Sequence, residues 1–288
     1  MFKTVCLSGG GVNGYAQIGM LQYLYENGQL DLLDTIVATS VGTIVGFLYL
    51  MEIPPLGIQE VLCLLDPLLC LTFSCVEDFF EKYGVDSGEY FIAQLVDILV
   101  SHNMNPLITF KQLQLVQKKR LIICGTRVNT HDAFYFSSKS TPDMKILEAV
   151  RISISIPFLF SSVQYNGDYY VDGFLTDNYP IDYAIKDYKS RYPFEELRVI
   201  GCLLVSLIPR SCDTFENYIY NIFSCVLKKN IKDKEVEENT TIKINFDNSP
   251  INFNLSLVEK KELFRIGYEK TRNFILSRKI IKKRRKSI

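Results

Sequence analysis

Val5-Cys6-Leu7-Ser8-Gly9-Gly10-Gly11-Val12-Asn13-Gly14 begins as a short apolar, strand-forming run and passes directly into a glycine loop. Beyond the loop, Ile18, Leu21 and Tyr25 fall at helical offsets, and Asn27-Gly28 supplies a helix stop. Thr35-Ile36-Val37-Ala38 reads as a second strand and 41–50 as a second helix. The first fifty residues therefore spell β-α-β-α, which predicts an α/β fold with a parallel sheet covered by helices.

Further along, 58–71 and 89–100 read as helices, 121–128 and 133–136 as strands, and 143–151 as a short helix. Asn166-Gly167, flanked by Tyr165 and Tyr169-Tyr170, predicts a hairpin. A buried strand is expected over 197–205, a helix over 215–227, a charged loop over 228–239 and a polar-alternating segment over 240–246. Leu257, Phe264, Tyr268 and Ile275 share one face of a closing helix.

The chain has 288 residues, 48% hydrophobic and 22% charged, enough apolar mass for one large core and too much for disorder. With no Pro/Gly/Ser-rich linker, residues 1–277 read as one domain and 278–288 as a basic tail. Lys+Arg and Asp+Glu both number 32, but seven of the basic residues lie between Arg278 and Ile288, leaving 25 against 32 and a net charge of −7 elsewhere. A strongly basic nucleic-acid-binding body is excluded, and nucleic acid is not expected as a partner. The eight cysteines, Cys6, Cys63, Cys70, Cys75, Cys124, Cys202, Cys212 and Cys225, contain no C-x-x-C pair and read as reduced, buried thiols of a cytoplasmic protein. The N-terminal apolar run is too short for a signal peptide, and neither 41–51 nor 61–76 reaches the ~20 apolar residues of a spanning helix. Leu62, Leu64, Leu65, Leu68, Leu69, Leu71 and Phe73 fit either core packing or the wall of an acyl channel.

Three local patterns carry chemistry. Gly9 to Gly14 satisfies G-x-G-x-x-G and fits a dinucleotide site, a row of N–H groups for an oxyanion, or a tight strand-to-helix turn. The dinucleotide reading needs an acid at the end of the second strand, where Ala38-Thr39-Ser40 stands instead. Ala38-Thr39-Ser40-Val41-Gly42 has the small-x-Ser-x-small spacing of a nucleophile elbow, and Ser40 fits a helix cap equally well. Asp172-Gly173 ends an apolar strand and reads as a turn or as a carboxylate projecting from a strand end. Neither histidine, His102 or His131, follows Asp172, so a histidine-based triad in the Ser-acid-His order is not expected.

Together, in this order, the glycine loop, elbow serine and Asp172-Gly173-Phe174 resemble the patatin-like phospholipase family over roughly Lys3 to Pro180. Ser155-Ile156-Pro157-Phe158 and Asp177-Asn178-Tyr179-Pro180 resemble the family's surroundings of its aspartate. The resemblance implies a three-layer α/β/α fold with a mostly parallel sheet. It implies Ser40 as nucleophile and Asp172 as base of a two-residue dyad, with Gly9, Gly10, Gly11 and Gly14 forming the oxyanion loop, the N–H groups around Gly10 and Gly11 at its centre. Ala38, Gly42 and Gly173 complete the motifs. No metal or organic cofactor is implied. The activity implied is that of a lipid acyl hydrolase of phospholipase A type on phospholipid or other lipid esters, peripheral on a membrane surface. A catalytically silent lipid-binding protein on the same fold and a dinucleotide-binding oxidoreductase are the competing readings. Three departures stand out: Ala38 for glycine, Phe174 for a small residue, and Asn13 where the family often carries Arg or Lys. The tail fits anionic lipid head groups at about 1 kcal/mol per basic residue, a nuclear-import or nucleic-acid patch, or a solvated, partly disordered end without specific role.

Overall fold

The computed structural model describes residues 1–65, 83–206, 211–232, 239–250, 252 and 254–286. Its opening elements are β1 (Thr4–Leu7), α1 (Gly14–Glu26), β2 (Thr35–Thr39) and α2 (Val41–Leu50), the β-α-β-α pattern of the sequence. Then come α3 (Pro55–Leu64), β3 (Gly84–Asp86), α4 (Glu89–Ser101), α5 (Phe110–Gln117), β4 (Arg120–Arg127), β5 (Asp132–Ser137) and α6 (Ile146–Ser153). The remainder is β6 (Phe158–Phe160), β7 (Val163–Tyr165), β8 (Asp168–Asp172), α7 (Phe174–Asp177), α8 (Ile181–Arg191), β9 (Val199–Val205), α9 (Phe215–Lys232), β10 (Thr241–Asn245) and α10 (Leu257–Lys286).

The main sheet runs β10-β9-β1-β2-β4-β8-β7, with β5 also on β4. Strands β10, β9, β1, β2 and β4 are parallel, whereas β5 and β8 pair with β4, and β7 with β8, antiparallel. Alternate side chains feed two cores. Val5 and Leu7 of β1 join the large cluster with α1, α2 and α10 residues, while Cys6 joins Val37, Ile122 and Leu203 against Ile181, Ala184 and Tyr188 of α8. Helices on both faces of a sheet that is parallel at its centre make the fold three-layered, as expected. The chain leaves β1 toward β2 and β4 and returns on β1's other side as β9 and β10. The strand order therefore reverses at β1, and the crevice of such a sheet lies at the carboxyl ends beside that reversal.

Several boundaries depart from the sequence reading. Helix α3 ends at Leu64, and the rest of the 61–76 run, with Leu68, Leu69, Leu71 and Phe73, lies outside the described residues. The backbone of α10 continues to Lys286, so the basic stretch from Arg278 extends the closing helix. Cys6, Cys124 and Cys202 are buried and Cys63 is half-buried, but Cys212 and Cys225 are exposed, in the loop before α9 and on α9 itself; the expectation of uniformly buried thiols fails there. Cys70 and Cys75 lie outside the described residues. No described helix is long and apolar enough to cross a membrane.

Helix α10 lies directly on α1. A Cβ at Gly19 would overlap the Phe264 carbonyl, and one at Gly267 would overlap that of Ala16. The backbones touch, and Tyr23 and Tyr268 close the contact edge to face at 5.3 Å between centroids. Gly267→Val is expected to force the helices apart and lower unfolding free energy by about 2 kcal/mol, read from the shift in urea midpoint.

Candidate active site

Ser40 is the single residue between β2 and α2, at φ 53° and ψ −128°. An L-residue held at positive φ stores on the order of 1–3 kcal/mol of strain. Its side chain makes no capping hydrogen bond, so the cap reading does not account for it. The turn is clamped instead from below. The Ser40 N–H donates to Ser153 Oγ (2.9 Å), and Ser153 Oγ donates to the Cys124 carbonyl (2.7 Å) while lying 3.1 Å from Thr43 Oγ1. Gly42 lets α2 sit on β1: a Cβ there would stand 2.7 Å from the Leu7 carbonyl oxygen and 2.8 Å from that of Ser8. Ala38 is fully buried within the sheet, on rungs with Leu7 and Ile123, so the sheet accepts a methyl group at that position.

Strand β4 brings the aspartate to the serine. Its pairs with β5 run from Ile122 to Arg127 along one edge, so β2 and β8 must share the other. Thr39 of β2 pairs with Cys124, and Asp172 of β8 pairs with the next residue, Gly125. Asp172 thus takes the rung immediately beyond the end of β2, where Ser40 leaves the sheet. It is fully buried, with its N–H on the Ser155 carbonyl (2.9 Å) and its own carbonyl accepting from Thr126 Oγ1 (2.9 Å). Its Oδ1 accepts from the Phe174 N–H at 3.0 Å. Burial lifts the Asp172 carboxyl to about 7 from an ordinary 3.8, against the opposing pull of the Ser40 hydroxyl and the Phe174 N–H. The Ser40 hydroxyl is close enough to favour the charged carboxylate, and Oδ2 has no hydrogen-bond partner among the described residues.

Within the loop, the N–H of Gly9 is donated to the Asn178 carbonyl (2.9 Å) and that of Gly14 to Gly11. Among the described residues the N–H groups of Gly10 and Gly11 have no acceptor. The loop is held from outside by Val12 N–H on the Pro250 carbonyl (2.9 Å). Two cavities meet at Ser40, Gly11 and Ile156. One, of about 110 Å³, is walled by Ile44, Leu62, Leu65, Phe91 and Phe160. The other, of about 70 Å³, holds Asp172, Asn13, Tyr220 and Ser224 and is narrowed by Phe174, whose ring meets Phe223 edge-on at 4.9 Å. Asn13 is buried with Oδ1 unpartnered. His102 and His131 line neither cavity. Asp34 precedes β2, at the strand end away from the glycine loop, and is paired with Arg191 (2.8 Å), so it is not placed to bind a ribose at that loop. Ser153 was not foreseen, because its link to Ser40 spans 113 residues and no local pattern marks it.

A model of the patatin-like phospholipase family matches residues 5–185, more than half of the chain and a span containing every motif above. The chain belongs to the patatin-like phospholipase family. Among relatives of this family member, the uncharacterized protein R571 of Acanthamoeba polyphaga mimivirus is 29% identical over 286 residues, covering 95% of this chain and 94% of that one. The probable lipid hydrolase 463L of Invertebrate iridescent virus 6 is 30% identical over 192 residues, 66% of each chain. In fold, this patatin-like chain is similar to VipD from Legionella pneumophila (TM-score 0.63, 16% identity, 96% of this chain and 67% of VipD). It is also similar to ExoU in its complex with SpcU from Pseudomonas aeruginosa (TM-score 0.56, 18% identity, 96% of this chain and 52% of that one).

The raised Asp172 carboxyl has a consequence for stability. Between about pH 4 and 7 the folded protein holds a proton that the unfolded chain has released, so stability present at low pH is lost as pH rises through 7. Asp172→Asn removes that loss. It is expected to melt above wild type at about pH 8, with the difference vanishing below about pH 4, as scanning calorimetry would record.

Proposed function

We propose that this protein is a lipid acyl hydrolase of phospholipase A type, acting through an acyl-enzyme on Ser40 with Asp172 as base. The observation that carries the reading is a buried carboxyl with a pKa about 7 and an unpartnered oxygen, one rung from a strained, uncapped serine. A base serves best when its pKa lies near the working pH.

In the first step Asp172 accepts the Ser40 proton as Oγ bonds to the ester carbonyl carbon. The negative charge moving onto the carbonyl oxygen is met by the Gly10 and Gly11 N–H groups, and by the N-terminus of α2. Collapse breaks the ester bond, and the leaving alcohol takes the proton from Asp172. Water then gives its proton to Asp172 and attacks the acyl-Ser40 carbonyl. Release of the fatty acid returns Ser40 its proton. The two cavities that share Ser40, Gly11 and Ile156 give room for the two sides of the ester, both rich in hydrocarbon in a diacyl lipid. Helix α3 supports action at a lipid surface: Leu62 lines the cavity while Leu56 and Leu64 stand exposed. The iridescent-virus relative named as a probable lipid hydrolase agrees with this reading.

A fluorophosphonate probe is expected to label wild type and not Ser40→Ala, and label surviving that substitution overturns the assignment. Asp172→Asn should keep its fold yet lose on the order of a thousandfold or more in kcat/KM on phospholipid vesicles, with fatty acid followed by mass spectrometry. In wild type, kcat/KM should climb with pH through about 7 as Asp172 ionises, and a profile flat across that range would exclude it as the base.

A further inference from the structure

We propose that Lys260 binds the phosphate of a phospholipid whose ester lies at Ser40, and thereby sets a preference for phospholipids over uncharged glycerides. This rests on the acyl hydrolase reading and names its substrate class.

Lys260 sits in the first turn of α10, outside the span matched by the family, and lines the apolar cavity together with Ser40, Gly11, Val12 and Tyr15. Among the described residues it is the only cation lining either cavity. Its ammonium lies 5.8 Å from the centroid of the Tyr15 ring, and that ring is fixed by Tyr15 Oη donating to the Leu62 carbonyl at 2.9 Å. Lys260 is half-buried and has no carboxylate within ion-pair reach among the described residues. The adjacent acid, Glu259, is occupied by the Ser256 N–H (2.8 Å) and hydroxyl (2.7 Å). A cation partly withdrawn from water and left unpaired gains most from an anion brought to it. The glycine loop contributes no charge of its own, since Asn13 is neutral.

The chemistry around Lys260 defines the ligand. An otherwise apolar cavity containing a reactive serine and one cation fits a molecule that is mostly hydrocarbon with one ester and one anion. A phospholipid places a phosphate a few bonds from its ester, and the flexible four-carbon stem of lysine can follow it. An uncharged glyceride offers the same ester without the anion, leaving the ammonium unpaired in the complex.

The test uses binding, so that it does not depend on turnover. Ser40→Ala protein is titrated calorimetrically with a single-chain ether phospholipid and with the matching ether glycerol, which lacks phosphate. The affinity ratio between them is expected to fall about ten-fold when Lys260→Met is added and to be kept by Lys260→Arg. A ratio unmoved by Lys260→Met, or one lost equally in Lys260→Arg, overturns the proposal. Millimolar inorganic phosphate is the arm that separates lipid phosphate from free anion: the ether phospholipid should still bind, and its displacement would mark a free-anion site and defeat the lipid assignment. With Ser40 present, the kcat/KM ratio of phospholipid to diacylglycerol should follow the same pattern, whereas a structural role for Lys260 would lower both substrates together. Phosphate-dependent binding without any ester cleavage would sink the hydrolase reading and spare the binding assignment.

Discussion

One edge of β4 is divided between two neighbours, and the site follows from that division. A strand residue has one hydrogen-bonding partner on each side, so β8 begins its pairing where β2 stops. The chain leaving β2 and the chain ending β8 are consequently adjacent, although Ser40 and Asp172 are distant in sequence. Backbone register, set by buried apolar strands, fixes their relation more firmly than side-chain contacts could. Asp172 is tied into this frame at its N–H, its carbonyl and Oδ1, which leaves Oδ2 as its uncommitted atom.

Such an arrangement costs stability. The positive φ at Ser40 and the carboxyl raised by burial both weigh against the folded state. The surrounding strands offset this: β1, β2 and the inner part of β4 are completely buried, and the Ser153 hydroxyl satisfies the N–H that the strained turn would otherwise strand. On the proposed mechanism, strain held this way would be preorganisation, because the serine would not have to reorganise when an ester arrives.

The placement of the motifs was legible in the sequence because each lies within a few residues. Gly9 to Gly14, Ala38 to Gly42 and Asp172-Gly173 all fall at the junctions their spacing implied. The Asn166-Gly167 hairpin was legible for the same reason, with φ 50° and 87° at its two turn residues. Helix α5 was legible and passed over, since Thr109 and Gln112 form a reciprocal capping box at its start. The register of β8 on β4, the Ser153 clamp and the return of α10 to the cavity depend on long-range packing that no window of sequence contains. Exposure of Cys225 was likewise hidden, because its apolar neighbours belong to a helix, α9, with one outward face.

The closing helix has a directional consequence. Its first turn touches the cavity at the carboxyl ends of the strands, while Arg278 rests over Phe2, just ahead of β1 at the opposite pole. The eighteen residue steps from Lys260 to Arg278 span about 27 Å of helix. With the cavity mouth turned toward a bilayer, the cationic end would point into the aqueous phase, out of electrostatic range of that bilayer's head groups and oriented toward whatever anionic body approaches from behind.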